Sequence, residues 1–321
     1  MKIKLTQLVP AAVILLALPV LSASAGEKPF PNLVPALDDS LPEGFAIGKG
    51  HTAYNGSVDG SIYKVDLRTG VGDILVEADD EFLACSKLGM RVDPRTNYLF
   101  VAGCENGNAL VFDADSGQEL MSYQLAPQYS TIINDLTITK DAVFFTDFFD
   151  QFIYRLPLSK NGGIPADIDA AIAIQLTGDF EVGGCCTANG IVATPNGKTL
   201  IVGHSGLAKI YRVDPMTGYA DEIEVSPSLT GFLDGLVMRG RTLYIMNPEF
   251  DAVQVVKLDK EMLTGKFVGV INDSSMSGVA SGALFGKSLY VNNAHYDADG
   301  DGYYSERWIT KLNRHAVEPV E

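Results

Sequence analysis

Four dipeptides in this chain are placed to hold a hard cation: Glu43-Gly44, Asn134-Asp135, Asn189-Gly190 and Asp234-Gly235. Each is followed by a short run rich in apolar residues and then by a turn. If their leading side chains converge, they supply two carboxylates and two amide oxygens. Two carboxylates brought together repel unless one is protonated or a cation lies between them. Ca²⁺ takes about six to eight oxygen ligands and accepts neutral amide oxygens beside carboxylates, so four protein ligands leave room for water or substrate. The lack of His and Cys in the set disfavours zinc. Taken singly, Asn-Gly and Asp-Gly pairs are ordinary turn residues. Their shared phase along the chain is what points to a site.

That phase belongs to a repeat. The stretches PEGFAIGKGHTAYNGS, LGMRVDPRTNYLFVAG, INDLTITKDAVFFTDF, ANGIVATPNGKTLIVG, LDGLVMRGRTLYIMNP and SGALFGKSLYVNNA each read as strand, turn, strand. Third strands follow as SIYKVDL, ALVFDAD, FIYRLPL, KIYRVDP, VQVVKLD and WITKLNR, and most copies carry a fourth. A period of about 45 residues with four strands per unit predicts an all-β, six-bladed β-propeller. The last unit lacks an obvious outer strand, so the segment from Asn32 to Leu37 is expected to supply it and close the ring. A blade's first strand is innermost, and its first residues face the central channel. Blades two and six carry Leu88-Gly89 and Gly278-Val279 where the others carry polar pairs.

With these pairs in register, the chain resembles the senescence-marker-protein/gluconolactonase family of regucalcin-like lactonases and, more distantly, diisopropylfluorophosphatase and the paraoxonases. The resemblance rests on the Glu-Gly, Asn-Asp, Asn-Gly and Asp-Gly pairs and on the turn Pro195-Asn196-Gly197-Lys198-Thr199-Leu200, and it spans most of residues 40–313. It implies a six-bladed propeller with a divalent cation, usually Ca²⁺, held on the axis by Glu43, Asn134, Asn189 and Asp234. It also implies that Asp234 serves as general base or nucleophile. Two features depart from the family: Ile132 stands where regucalcin-type lactonases carry an Arg, and the paraoxonase His pair has no clear counterpart.

Second strands should return to the same face, so Asn55, Cys104, Asp147, His204, Asn247 and His295 are expected to build the rest of the substrate pocket. His204 and His295 could move a proton near neutral pH, or simply be hydrogen-bonded rim residues. Phe148, Phe149 and Phe250 could form an apolar wall. Of the four cysteines, Cys85 and Cys104 fall on the metal-bearing face and can pair. That leaves Cys185 and Cys186 as a vicinal disulfide or as two thiols. The sequence DADGDG offers Asp297, Asp299 and Asp301 to a second Ca²⁺, although Trp308 replaces the Glu of an EF-hand loop. A solvated acidic loop is the alternative.

Lys2 and Lys4 precede an apolar run from Leu8 to Leu21 that ends at Ala23-Ser24-Ala25. This pattern predicts a secretory signal over residues 1–25, a single propeller domain over 26–321, and a secreted or periplasmic location. A formal net charge of −16 opposes binding to nucleic acid and to anionic membranes. The expected protein is a monomeric, Ca²⁺-dependent hydrolase of a small lactone or ester. A non-catalytic binding propeller of the NHL kind and a phosphotriesterase at the same metal are the alternatives.

Overall fold

Most strands within a repeat are joined by short turns, so each repeat folds back on itself as an antiparallel sheet; only the links from Pro157 to Ile172 and from Asn292 to Trp308 are long. The computed structural model describes residues 29–37, 40–78, 85–182, 186–294 and 306–319. It shows six sheets, each meandering outward from the central channel. Blade one runs Pro42–Ile47, Thr52–Ser57, Ile62–Asp66 and Gly72–Val76. Blade two runs Met90–Asp93, Tyr98–Ala102, Asn108–Asp113 and Glu119–Gln124, and blade three Ile133–Ile138, Ala142–Asp147, Phe152–Pro157 and Ile172–Gln175. In blades four and five the innermost strands are Ala188–Ala193 and Leu236–Arg239. Each of these two sheets gains a short extra outer strand, Thr177–Gly178 and Glu224–Ser226, laid parallel on its edge by the incoming chain.

The ring closes as expected. Leu33–Pro35 pairs antiparallel with Trp308–Asn313, placing Leu33 opposite Thr310 and Val34 opposite Ile309. Blade six is thus built from both ends of the propeller. Glu318 adds a second tie by exchanging backbone hydrogen bonds with Val270 on the outer strand of blade five.

Turn chemistry explains the meander. In blades one, two and four the turn into the fourth strand begins with an Asp whose carboxylate accepts two backbone amides. Asp66 takes those of Arg68 and Thr69, Asp113 those of Asp115 and Ser116, and Asp214 those of Met216 and Thr217. Such side-chain mimicry of a backbone turn is a favoured use of Asp.

Side-chain alternation supplies the core. Along Ala142–Asp147, Phe145 packs with Phe100 and Val111 of blade two, whereas Phe144 packs with Ile191 and Tyr211 of blade four. Successive residues of a strand face opposite sides of the sheet, so each blade contributes to two seams. A separate apolar cluster fills each of the six seams between neighbouring blades. Second strands therefore read as nearly unbroken apolar runs, because both of their faces are covered.

Candidate metal centre

Local irregularity places the candidate ligands. In blade one the pairing of the innermost strand slips between Pro42 and Gly44, in blade three between Ile133 and Leu136, and in blade four between Ala188 and Ile191. Glu43, Asn134 and Asn189 all fall within these slips. A bulge re-aims the side chain at its position, here toward the channel. Asp234 lies just before its strand, held by its amide to the Met246 carbonyl at 2.9 Å. Glu43, Asn134, Asn189 and Asp234 consequently share one cavity of about 550 Å³.

The channel narrows directly below them. Its wall is made by Leu88-Gly89 and Ala280-Ser281 together with Asp135 and Gly235. Blade six therefore presents Ala280-Ser281 to the axis, not the expected Gly278-Val279. Gly278 instead sits at positive φ and donates its amide to Asp251.

Small residues let the strands approach the axis. A Cβ added to Gly190 would lie 2.3 Å from the Asp234 carbonyl oxygen, and one added to Gly89 would lie 2.5 Å from Asp135 Oδ1. Asp135 thus occupies space that glycine leaves open. Its Oδ2 accepts the Ile191 amide at 3.2 Å and an Arg91 Nη2 proton at 3.4 Å, while Oδ1 has no partner. Arg91 is held by the Met90 and Phe45 carbonyls, so a cation reaches the acid cluster from the far side.

Electrostatics make the centre short of positive charge. Burial, reinforced by the charges of Glu43 and Asp135, pushes the Asp234 carboxyl well above the usual carboxylate range, against a hydrogen bond from Asn189. Burial likewise raises Asp135, more than Arg91 lowers it. Asn189 is buried, and its Oδ1 lacks a donor. An acceptor stranded beside two carboxylates fits a bound cation, because a buried polar atom without a partner is costly. Among the described residues no three His, Cys, Asp or Glu side chains form a metal-binding group by themselves, so the two amides are needed to complete the set.

Above the ligands the wall is apolar. Leu88, Ile132, Phe148 and Phe232 surround the cavity, with Val58, Cys85 and Pro248 completing it and Glu249 on its side. Phe148 is fixed by its amide to the Ile132 carbonyl and by the Thr187 amide to its own carbonyl, and its ring lies 6.3 Å from that of Phe232. Phe149 and Phe250 are exposed and do not line the cavity.

Among the described residues, none of the second-strand ends expected in the pocket lines it. Asp147 is fully buried and accepts hydrogen bonds from Thr131, Tyr154 and the amides of Phe149 and Asp150, which makes it a pin for its own blade. Asn247 donates to the Thr230 carbonyl at 2.8 Å and so braces the loop bearing Phe232. Asn55 is buried within its sheet. His204 faces the seam between blades three and four, against Phe180 and Tyr211, and burial lowers its imidazole below the ordinary value. The wall comes instead from residues one to three positions further along, at Val58, Phe148, Pro248 and Glu249. His295, Asp297, Asp299, Asp301, Cys185 and the expected secretory signal over residues 1–25 lie outside the described residues.

Cys85 and Cys104 form a disulfide with their Cα atoms 5.8 Å apart. Cys104 also exchanges two backbone hydrogen bonds with Ile133, the residue before Asn134. The bridge thereby braces both the cavity wall and one ligand strand.

Sequence reasoning missed four contributors: Arg91, Ser281, Thr146 and Asn292. Thr146 accepts the Asp135 amide and donates to the Asn189 carbonyl at 2.7 Å. Asn292 accepts the Ser281 amide and donates to the carbonyls of Pro42 and Glu43. The Asp of Asn134-Asp135, where four other blades have Gly, was a visible signal for the tier below the ligands. Thr146 and Asn292 had no such signal.

No protein-family model and no curated protein matches the sequence. Among solved structures, the chain is similar to the allergen Mala s 1 of Malassezia sympodialis, with 13% identity and a TM-score of 0.64 over 91% of this chain and 99% of that one. It is similar to regucalcin, a calcium-binding protein of Agrobacterium tumefaciens, with 15% identity and a TM-score of 0.62 over 91% and 97% of the two chains. A luciferin-regenerating enzyme gives 13% identity and 0.61 over 90% and 97%. At such identities the likeness is one of fold.

Proposed function

We propose that this protein is an exported, divalent-cation-dependent hydrolase of lactones or esters, with Ca²⁺ as the favoured ion. The observation that carries this proposal is the convergence of Glu43, Asn134, Asn189 and Asp234 on one cavity, with the buried Asn189 Oδ1 left without a donor. Four oxygen donors, two of them neutral, suit a hard cation and leave coordination positions for a ligand. The fold shared with regucalcin agrees with this assignment. When bound, the cation polarises an acyl carbonyl and stabilises the negative charge that develops on its oxygen.

The chain's own residues supply the remaining chemistry. Asp234 offers a carboxylate oxygen at the cavity floor that can take a proton from water as the water oxygen bonds to the acyl carbon. The acyl C–O bond then breaks, and the departing oxygen takes up that proton, so the products are a carboxylic acid and an alcohol. Phe148 and Phe232 exclude bulk water above the floor, which strengthens every charge interaction there. His204 takes no part, since it faces a blade seam.

The test is metal content and Ca²⁺ affinity of the purified protein beside Asp234→Ala and Asn189→Ala, followed by a lactone and aryl-ester panel. About one tight ion per chain, lost in both variants, with hydrolysis that stops on chelation and returns with Ca²⁺, is the expected result. A wild type that binds no divalent ion would overturn the assignment.

A further inference from the structure

We infer that the cavity selects uncharged lactones or esters bearing a hydrocarbon chain and rejects anionic ones, including the carboxylate that hydrolysis produces. This inference rests on the metal-dependent function proposed above. Its first basis is the wall. Leu88, Ile132, Phe148 and Phe232 stand above the four ligands, and no hydroxyl, amide or basic group of the described residues interrupts them before Glu249. A cavity of about 550 Å³ with polar groups only at its floor and rim fits a ligand with one polar end. A polyhydroxylated ring would bury its hydroxyl groups against this wall without partners, at a cost for each.

Its second basis is charge. Glu43, Asp234 and Asp135 formally balance Arg91 and a divalent cation, so these groups leave no net positive charge at the loaded floor; the buried Lys87 beside Leu88 is not among the residues that line the cavity. Glu249 adds a carboxylate to the wall, and the whole chain is acidic at −16. Among the described residues that line the cavity there is no guanidinium or ammonium with which to grip a carboxylate or phosphate. A neutral ester enters without this opposition, and its anionic product meets it.

The experiment is competition against a neutral fluorophore, N-phenyl-1-naphthylamine, bound to the protein both with Ca²⁺ and with EDTA. Competitors are γ-alkyl lactones of increasing chain length, the matching alkyl carboxylates, and gluconolactone. Each added methylene should tighten a lactone about threefold to fourfold until the wall is covered. Gluconolactone and the carboxylates should compete at least about a hundredfold more weakly. Phe232→Ala should cost the long-chain lactones about tenfold while the Ca²⁺ dissociation constant stays unchanged, which shows that the floor has survived. Glu249→Lys should admit the carboxylates and leave the lactones as they were. No fluorophore binding, no chain-length dependence, or equal competition by gluconolactone would overturn the inference. The EDTA series separates the two claims, because the wall can select for chain length whether or not a metal binds.

Discussion

Asn292 closes the ring beside Glu43, and replacing it with Leu tests whether inter-blade seams govern the candidate metal centre. Asn292 is fully buried; its Oδ1 accepts the Ser281 amide at 2.7 Å, and its Nδ2 donates to Pro42 O at 3.1 Å and Glu43 O at 3.0 Å. Leu keeps most of the volume but strands one amide and two carbonyls. A buried group left unpaired costs about 1–3 kcal/mol, and carbonyls tolerate this better than amides, so the total should be about 3–6 kcal/mol. For a domain of this size that is a fall in Tm of roughly 6–20 °C by scanning calorimetry. Asn293 is an internal control. It is equally buried and makes as many bonds, accepting the Ser277 amide and donating to Trp308 O and Thr310 Oγ1, but it touches no candidate ligand. Asn293→Leu should lower Tm comparably and leave the Ca²⁺ dissociation constant within about twofold, whereas Asn292→Leu should weaken Ca²⁺ about tenfold. Equal loss of Ca²⁺ affinity in the two variants would refute the idea that Asn292 positions Glu43, and a Tm change below about 2 °C would refute the hydrogen-bond reckoning.

Three further outcomes follow from the same geometry. Chelating Ca²⁺ from protein held at a hundred times its dissociation constant should remove about 2.7 kcal/mol, a drop of roughly 5–10 °C that Asp234→Asn should not show. Gly190→Ala should be destabilising by about 1–3 kcal/mol in urea unfolding, because its Cβ meets Asp234 O at 2.3 Å; Gly203→Ala, whose nearest contacts lie at 3.7 Å, should be tolerated. The Ser116 hydroxyl and amide hold the Asp113 carboxyl below its ordinary pKa, so its contribution is present above about pH 4 and is lost as pH falls through the lowered folded-state value. Asp113→Ala should therefore lower Tm at pH 7 and have a smaller effect at pH 3; an equal effect at both would show that the carboxylate's charge is irrelevant.

The blade pattern and the latch at Leu33–Pro35 were legible because strand alternation and turn chemistry recur in every repeat. That Glu43, Asn134, Asn189 and Asp234 share one cavity was legible for the same reason. Blade six lies two residues away from its expected register, with Ala280-Ser281 rather than Gly278-Val279 at the axis; the earlier leading positions are 45, 46, 55 and 45 residues apart, a scatter too wide to fix the sixth. Pocket residues were misjudged through strand parity. A second-strand end such as Asp147 or His204 faces sideways into a seam or its own blade, and a residue just beyond it, such as Phe148, faces the cavity. Seam residues such as Thr146 and Asn292 were invisible because each bonds to the next blade, and no local pattern marks hydrogen bonds that span 43 and 250 residues.

Glycine at the innermost positions dissolves the choice between turn residue and ligand motif. The Cβ that Gly44, Gly190 or Gly235 lacks would meet a backbone carbonyl of the next blade at 2.0, 2.3 and 2.7 Å respectively. Those glycines are demanded by ring closure, whether or not a metal binds. Only because they let the backbones meet do the preceding side chains of Glu43, Asn189 and Asp234 reach a common cavity. Asp135 breaks the series, and its carboxylate fills channel space that Gly89 leaves open, with Arg91 drawn up from the far face to meet it. Closing the propeller tightly thus concentrates acid on its axis, and the proposed cation would offset the repulsion that this packing creates.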